Sequence, residues 1–300
     1  MCLNQTLPAN IPRTPFEHTL PKTLDFPDNM FNMTQRNTRP PAVAGKFYPG
    51  EAQRLEQTLN RLFQEAGQIR HTQGLVGIMA PHAGYQFAGI VAARAYLAVD
   101  PGVKRFVLLG ASHYAGFSGV ALSSASEWQT PLGNTPVDTR AVEKLVEHPC
   151  FFIDDRLHEP EHSLEAHLPF IQHRFPNAVI VPALVGSNTE SCVDPLLELL
   201  DSQTVLVMST DLYHGDSYQD CVETDAITLD VIQKMNPEHF IMAEQAREIM
   251  LCGTTAVALG LRLMKEKGAR ASILTYTNSA EVTGNFSGYV VGYAALAFVK

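Results

Sequence analysis

Short apolar runs alternate with amphipathic segments along most of this chain. The runs have the length and composition of buried β-strands, and they lie at 75–80, 105–110, 119–124, 178–184, 204–209, 272–277 and 288–299. Helical patterns fill the intervals at about 89–99, 139–147, 193–201, 223–235 and 253–267. An earlier helix is predicted where one face is apolar, formed by Leu55, Leu59, Leu62, Phe63 and Ala66. This alternation predicts an α/β fold, namely a three-layer α/β/α domain with a largely parallel or mixed central sheet.

The beginning of the chain follows a different pattern. Residues 1–41 contain seven of the 19 prolines, no glycine and no sustained hydrophobic period. A segment of this kind buries little of its own surface. We therefore expect residues 1–40 to form an extended or disordered arm, of which residues 1–38 are dispensable for folding. Residues 41–300, which no linker divides, are predicted to form a single domain.

The overall composition narrows the class of protein without identifying it. The chain has 300 residues, of which 45% are hydrophobic, and a formal charge of -9. An acidic excess repels phosphate backbones, which argues against a nucleic-acid partner. The longest apolar run, 289–299, is shorter than the roughly 18 residues of a membrane span, and the first residues lack a signal-peptide pattern. The five cysteines lie far apart and form no Cys-x-x-Cys pair, so we expect a cytoplasmic protein without a disulfide framework.

Three of the predicted strands run directly into a segment that carries a histidine. These histidines are His82, His113 and His214. Ligands of open α/β sheets bind beyond the carboxyl ends of the strands, and a neutral imidazole there is a common ligand of a catalytic metal. The alternative is that small neighbours such as Gly84 and Gly110 only mark tight turns. The repetition of the same context favours a functional cleft.

A cysteine and an aspartate are further candidates for this cleft. Cys252 directly precedes a predicted helix, where the helix dipole and free N–H groups stabilise a thiolate and make it the most reactive of the five cysteines. It is a metal ligand or nucleophile in one interpretation and a buried small apolar residue in the other. Asp211, three residues before His214, is a candidate for orienting an imidazole or a metal-bound water.

The segment 158–167 is rich in histidine and glutamate. Its residues 158–162 match the H-E-x-x-H pattern of zinc proteases, but that motif needs a continuous helix, which Pro160 interrupts. Pro160 fits a first helical turn instead, which places His162 early in a helix and facing the cleft. We therefore take His162 as a catalytic candidate and His167 as a structural residue.

Five segments, in this order, resemble the Memo family, which is called AmmeMemoRadiSam system protein B in bacteria and archaea. The segments are Ala80-Pro81-His82-Ala83-Gly84-Tyr85, Leu109-Gly110-Ala111-Ser112-His113, Glu161-His162-Ser163-Leu164-Glu165-Ala166-His167-Leu168-Pro169, Ser209-Thr210-Asp211 with His214, and Cys252-Gly253. The resemblance extends from about Pro41 to the C-terminus. It implies a fold like that of class III extradiol dioxygenases, which hold iron with two histidines and a glutamate.

The resemblance also implies a ligand set. By position, the two histidine ligands fall on His82 and His113, and the third ligand falls on Cys252. The base that assists ring opening falls on His214. Because a thiolate replaces the carboxylate, ring cleavage does not follow, and the soft sulfur favours copper, zinc or thiolate-bound iron. The implied cofactor is one metal ion, with iron first and copper or zinc as alternatives.

Three functions fit such a pocket at this point. The first is a metal-dependent redox enzyme that uses iron or copper, with His214 as general acid or base. The second is a zinc hydrolase with an activated water. The third is a non-enzymatic module that binds a metal or a peptide. The family resemblance implies a radical S-adenosylmethionine protein and an AMMECR-type protein as partners, while the substrate, a small molecule or a peptide, stays open.

Overall fold

A computed structural model describes residues 37–68 and 71–300 of the chain. The α-helices are α1 (Ala52–Ala66), α2 (Tyr85–Leu97), α3 (Thr139–Val146), α4 (Asp155–His158), α5 (Leu168–Arg174), α6 (Val193–Leu199), α7 (Tyr218–Gln233), α8 (Pro237–Gln245), α9 (Thr254–Glu266) and α10 (Ser279–Thr283). The strands are β1 (Thr38–Arg39), β2 (Leu75–Ala80), β3 (Arg105–Ala111), β4 (Val120–Leu122), β5 (Glu127–Thr130), β6 (Gly133–Pro136), β7 (Phe151–Ile153), β8 (Val179–Val185), β9 (Thr204–Ser209), β10 (His214–Gly215), β11 (Arg270–Asn278) and β12 (Val290–Val299). Two 3-10 turns, Glu165–His167 and Glu190–Cys192, precede α5 and α6.

The main sheet is mixed, with a parallel centre. Its strand order is β10-β12-β2-β9-β3-β8-β4-β7, and β11 also pairs with β12. The central strands β2, β9, β3 and β8 run parallel to one another. Towards the edges, β12 is antiparallel to β2, and β4 is antiparallel to β8. The carboxyl ends of β2, β9 and β3 therefore lie side by side at one edge of the sheet.

Helices cover both faces of this sheet. On one face α2 packs against β2, β11 and β12, and it carries α1, α5 and α10. On the other face α9 packs against β3, β8 and β9 and contacts α6 and α8, while α7 packs against β11 and β12. These two helical layers confirm the predicted three-layer α/β/α architecture with a mixed sheet.

The pattern of apolar residues in each strand and helix reflects how much of that element is buried. All six residues of β9 are buried, because a strand covered on both faces needs apolar or small residues at every position. Helix α1 is amphipathic instead, and it buries Leu55, Leu59 and Leu62 while its other side faces solvent. It packs closely on α2 because Gly89 has no side chain, and a Cβ there would lie 2.7 Å from a methyl group of Leu62.

A small second sheet was not predicted from the hydrophobic pattern. It consists of β1, β5 and β6, in the order β1-β5-β6. Strands β5 and β6 have four residues each and are mostly polar, so they give no apolar run. The sheet nevertheless buries Trp128 completely, and the guanidinium carbon of Arg39 lies 4.4 Å from the centre of its ring.

Most of the predicted N-terminal arm, residues 1–36, lies outside the described residues. Thr38 and Arg39, which fall on the arm's side of the predicted boundary, pair with Glu127 and Trp128 in β5. Thr38 and Arg39 are therefore part of the folded domain, although the predicted boundary assigned them to the arm. Within the described residues, none of the helices is both long and apolar enough to span a bilayer.

Candidate metal centre

Three adjacent strands and one helix supply the side chains of the candidate site. His82 follows β2, His113 follows β3 and Asp211 follows β9, all at the same edge of the sheet. Cys252 comes from the segment that leads into α9. That segment can lie against the end of β9 because Gly253 has no side chain, since a Cβ there would lie 2.5 Å from the carbonyl oxygen of Ser209.

The two histidines and the cysteine converge on one point. The Sγ atom of Cys252 lies 3.2 Å from Nε2 of His82, and the ring centres of His82 and His113 are 5.2 Å apart. One ligand atom from each of these three residues lies within 4.8 Å of the others. This group could hold a metal ion, and its two imidazoles and one thiol are the donor set of sites for iron, copper or zinc.

The hydrogen bonds of Ser209 determine which nitrogen of His82 carries the proton. The Ser209 hydroxyl donates to the carbonyl oxygen of Ser163 at 2.6 Å, and this bond uses its single hydrogen. Its oxygen must therefore accept from both imidazoles beside it, namely Nδ1 of His82 at 2.7 Å and Nε2 of His167 at 2.8 Å. Because the proton of His82 is on Nδ1, the lone pair of its Nε2 faces Cys252 and is available to a metal.

Burial keeps His82 in this neutral form. Its side chain is almost completely buried, and this burial, together with the neighbouring charges of His162 and His113, lowers its pKa well below the ordinary histidine value. A metal competes with protons for the ring nitrogen, so a lowered pKa favours metal binding at neutral pH.

Glu161 orients the second imidazole. Its carboxylate accepts from the His113 ring at 2.9 Å and from the backbone N–H of His113 at 2.6 Å. It also accepts from the backbone N–H groups of His162 and Ser163, each at 2.9 Å. Burial alone would raise the pKa of Glu161, but these bonds, led by the one from the His113 ring, lower it to about 2. An ionised carboxylate accepts only, so Nδ1 of His113 carries a hydrogen and its Nε2 faces the cleft.

Cys252 differs from the expectation drawn from its place before a helix. Burial, followed by the charge of Asp211, raises the pKa of the thiol well above its ordinary value. The backbone N–H of Asp211 donates to Sγ at 3.2 Å, which opposes this effect without cancelling it. The helix N-terminus is therefore outweighed, and the prediction of an activated thiolate in the protein without metal is wrong. A bound metal ion would supply the positive charge that favours the thiolate.

Asp211 is a buried carboxyl at the centre of the site. Its Oδ1 accepts from the backbone N–H groups of His82 at 3.0 Å and Ala83 at 3.3 Å, and its Oδ2 lies 3.9 Å from Nε2 of His82. Burial raises its pKa to about 6, although a charge on His214 acts in the opposite direction. Asp211 therefore fixes the backbone turn that presents His82, and its carboxyl changes charge close to neutral pH.

The two remaining histidines of the predicted site flank the metal-binding group. His214 donates from Nδ1 to the carbonyl oxygen of Leu212 at 2.8 Å, and its Nε2 has no hydrogen-bond partner among the described residues. The ring of His162 stacks on His113 with centres 4.5 Å apart and lies 5.3 Å from His82. Its Nδ1 is buried and has no hydrogen-bond partner among the described residues. Neither histidine belongs to the group of His82, His113 and Cys252, but His162 forms a second possible metal-binding group with His113 and Glu161.

The local structure around His162 differs from the predicted helix. The chain is helical up to His158, irregular from Glu159 to Leu164 and in a 3-10 turn from Glu165. Pro160 therefore ends one helical segment rather than starting the next, and His162 lies in the loop between them. This break also excludes the H-E-x-x-H arrangement, because His158 is buried elsewhere and its Nε2 donates to the carbonyl oxygen of Ala121 at 3.2 Å.

A comparison with known families covers the same part of the chain. A family model described as Memo-like protein matches residues 39–297. The chain belongs to this family. A MEMO1 family protein of Methanopyrus kandleri is 34% identical over 281 residues, which cover 87% of this chain and 98% of that protein. A MEMO1 family protein of Methanosarcina acetivorans is 36% identical over 267 residues, which cover 86% and 98%. A solved structure of an uncharacterized protein from Escherichia coli K12 covers 73% of this chain and 99% of its own, with a TM-score of 0.47 and 13% identity.

Membership of the Memo family confirms the resemblance drawn from the five segments. Two residues in those segments had no assigned role, although they complete the site. Glu161 and Ser209 each fix the ring of one candidate ligand histidine. The only signal for Glu161 in the sequence was its place beside His162 in a segment rich in histidine and glutamate. Ser209 gave no signal, since a serine at the end of a strand is common.

Proposed function

We propose that this Memo-family chain is a metal-dependent redox enzyme that holds one iron or copper ion with His82, His113 and Cys252. One observation carries the proposal. Both imidazoles have their Nδ1 hydrogens bound to other side chains, so that their Nε2 lone pairs and the Cys252 sulfur face a common point. Metal-binding histidines are held in this way by second hydrogen bonds.

The residues of the chain have separate parts in this proposal. When bound, iron or copper supplies a centre that exchanges single electrons and has coordination positions open to a substrate. Cys252 would coordinate as a thiolate, with its proton released to solvent, and the backbone N–H of Asp211, which donates to Sγ at 3.2 Å, would stabilise that thiolate. Asp211 also keeps His82 in place through the backbone N–H of that residue.

His214 and His162 are the candidates for proton transfer to and from a substrate. Nε2 of His214 has no hydrogen-bond partner among the described residues. Nδ1 of His162, whose ring stacks on His113, lies 3.4 Å from the Glu161 carboxylate without a hydrogen bond to it. An imidazole transfers protons efficiently near neutral pH, and that suits a general acid or base. The substrate class stays a small molecule or a peptide.

Partners and location are proposed on family membership. We infer that the chain works with a radical S-adenosylmethionine protein and an AMMECR-type protein in the cytoplasm, without nucleic-acid or membrane binding. Copurification of the three proteins from cells that express them together is the direct measurement. Failure of all three to associate, under conditions where the chain binds metal, would remove this part of the proposal.

The metal centre is tested by elemental analysis of protein purified without oxygen or added metal. We expect about one iron or copper per chain, and we expect the paramagnetic signal of that ion to disappear and return on reduction and reoxidation. His82→Ala, His113→Ala and Cys252→Ala should each lose the stoichiometric metal, whereas the surface variant Arg156→Ala should keep it, since the Arg156 side chain is 86% exposed. Zinc as the bound metal would favour a hydrolase, and absence of any metal would favour a peptide-binding module.

A further inference from the structure

Arg39 is far in sequence from the loop that carries Glu161, but its side chain is buried against that loop. Its Nε and Nη2 donate to the carbonyl oxygen of His158 at 3.2 and 2.9 Å. Its Nη2 also donates to the carbonyl oxygen of Glu161 at 2.7 Å. One guanidinium thus binds the last residue of α4 and the backbone of Glu161, inside the irregular stretch from Glu159 to Leu164. A planar group with five N–H donors is suited to hold several carbonyls at fixed angles.

Glu165 holds Arg39 in place. The side chains of Arg39 and Glu165 are 4% and 0% exposed and form an ion pair through Nη1. The Glu165 carboxylate also accepts from the backbone N–H groups of Ala42 at 2.7 Å and Val43 at 3.0 Å, and from the hydroxyl of Tyr48 at 2.6 Å. The pair is therefore fully hydrogen-bonded, and it ties the segment from Arg39 to Tyr48 onto the loop.

Stability alone does not explain a pair of this kind. Removing two charges from water costs several kcal/mol per ion, roughly what their attraction returns, so a buried pair is weak evidence for a stabilising role. The contacts point to another role. Arg39 holds the backbone of Glu161, and the carboxylate of Glu161 holds the ring of His113.

We propose that Arg39 and Glu165 form a positioning pair that fixes Glu161 and thereby orients His113 towards Cys252 and His82. This inference rests on the proposed metal centre and adds residues that touch none of the candidate ligands. It predicts that Arg39 affects metal binding through Glu161, and not through the general stability of the fold.

A double-mutant cycle on the full chain tests this route, with Co²⁺ as the probe under anaerobic conditions. Arg39→Lys keeps the positive charge for Glu165 but loses the planar set of donors, and we expect about tenfold weaker Co²⁺ binding. Glu161→Gln should weaken binding by about 10–100-fold. In the Glu161→Gln background the further effect of Arg39→Lys should shrink to about twofold or less, because the two residues act in one chain of contacts. The control, Arg156→Ala, changes an exposed arginine near the same loop and should bind like the wild type.

Each other outcome has a definite meaning. Independent, multiplicative effects of Arg39→Lys and Glu161→Gln would show a merely structural role and overturn the inference, while the metal centre would stand. Wild-type protein that fails to bind Co²⁺ would overturn both. If Arg39→Lys does not fold, Tyr48→Phe removes only the hydroxyl that donates to Glu165 and enters the same cycle. Unchanged Co²⁺ affinity in folded Tyr48→Phe, or an effect of Tyr48→Phe that multiplies with that of Glu161→Gln, would overturn the positioning pair.

Discussion

Replacing Ser209 by alanine removes one oxygen that two buried imidazoles share. The hydroxyl accepts from His82 and His167 and donates to the carbonyl oxygen of Ser163, and it is completely buried. The substitution therefore leaves two ring N–H groups and one carbonyl without this partner. An unsatisfied buried polar group costs about 1–3 kcal/mol, so three of them set an expected loss of at least about 3 kcal/mol in the free energy of unfolding.

The loss should lie near this lower limit, because His82 has an alternative. Its proton can move from Nδ1 to Nε2, where the sulfur of Cys252 lies 3.2 Å away and can accept it. That relief has a consequence for metal binding, because the nitrogen that now carries the hydrogen is the proposed ligand atom. We therefore expect Ser209→Ala to weaken Co²⁺ or Fe²⁺ binding by about 10–100-fold.

Two assays separate the effects. Urea unfolding can be followed by the fluorescence of Trp128, the chain's single tryptophan, which is fully buried. Metal affinity is measured by calorimetric titration of the folded protein. The matched control is Ser123→Ala, which removes another buried hydroxyl, one that donates to Asp155 at 2.8 Å. Ser123→Ala should lose stability but bind metal like the wild type. Folded Ser209→Ala that binds metal within about twofold of the wild type would refute the assignment of the His82 proton.

Three further predictions concern the metal centre and the N-terminal segment. Because burial raises the pKa of Cys252 and metal binding displaces its proton, the apparent metal affinity should rise by about tenfold per pH unit between about pH 7 and 8.5, and a flat titration would exclude the thiolate as a ligand. His214→Gln should keep stoichiometric metal and lose catalytic turnover with any substrate found, while loss of metal would make His214 a ligand instead. Deleting residues 1–36 should leave the melting temperature unchanged. Deleting residues 1–39 should lower the melting temperature, with a loss of about 3–5 kcal/mol in the free energy of unfolding, because it leaves the Glu165 carboxylate buried without its cation. Equal melting temperatures for the two truncations would contradict the structural importance of that pair.

The local pattern of the sequence was sufficient for the central elements. Strands β2, β3 and β9 are continuous apolar runs because both faces of the sheet are covered, and their ends place His82 and His113 together. The three-layer architecture follows from the same alternation of strands and helices. For these parts, the apolar pattern within each element was enough to predict its burial.

Other parts of the site depend on contacts between distant segments, which a local pattern does not record. The prediction of a helix at His162 was wrong because Pro160 can either start or end a helical segment, and only the packing of the loop decides between them. The pKa of Cys252 was misjudged for a similar reason. Position relative to a helix is visible in a sequence, whereas burial beside the carboxyl of Asp211 is not. Arg39, at the edge of a proline-rich segment, gave no sign of its buried ion pair.

The hydrogen bonds of the histidines distinguish two rings that are fixed in orientation from one that is less restrained. His82 and His113 have one ring nitrogen bound by Ser209 or Glu161, so each ring is fixed in orientation and tautomer before any ligand arrives. A ring fixed in this way is a good ligand and a poor proton carrier, because turning it or changing its tautomer breaks a buried bond. His162, whose buried Nδ1 lies 3.4 Å from Oε1 of Glu161 without a hydrogen bond to it, is less restrained. Under the proposed function, His162 is therefore better suited than His82 or His113 to exchange a proton with a substrate, because its ring can change without breaking a bond that fixes a candidate ligand.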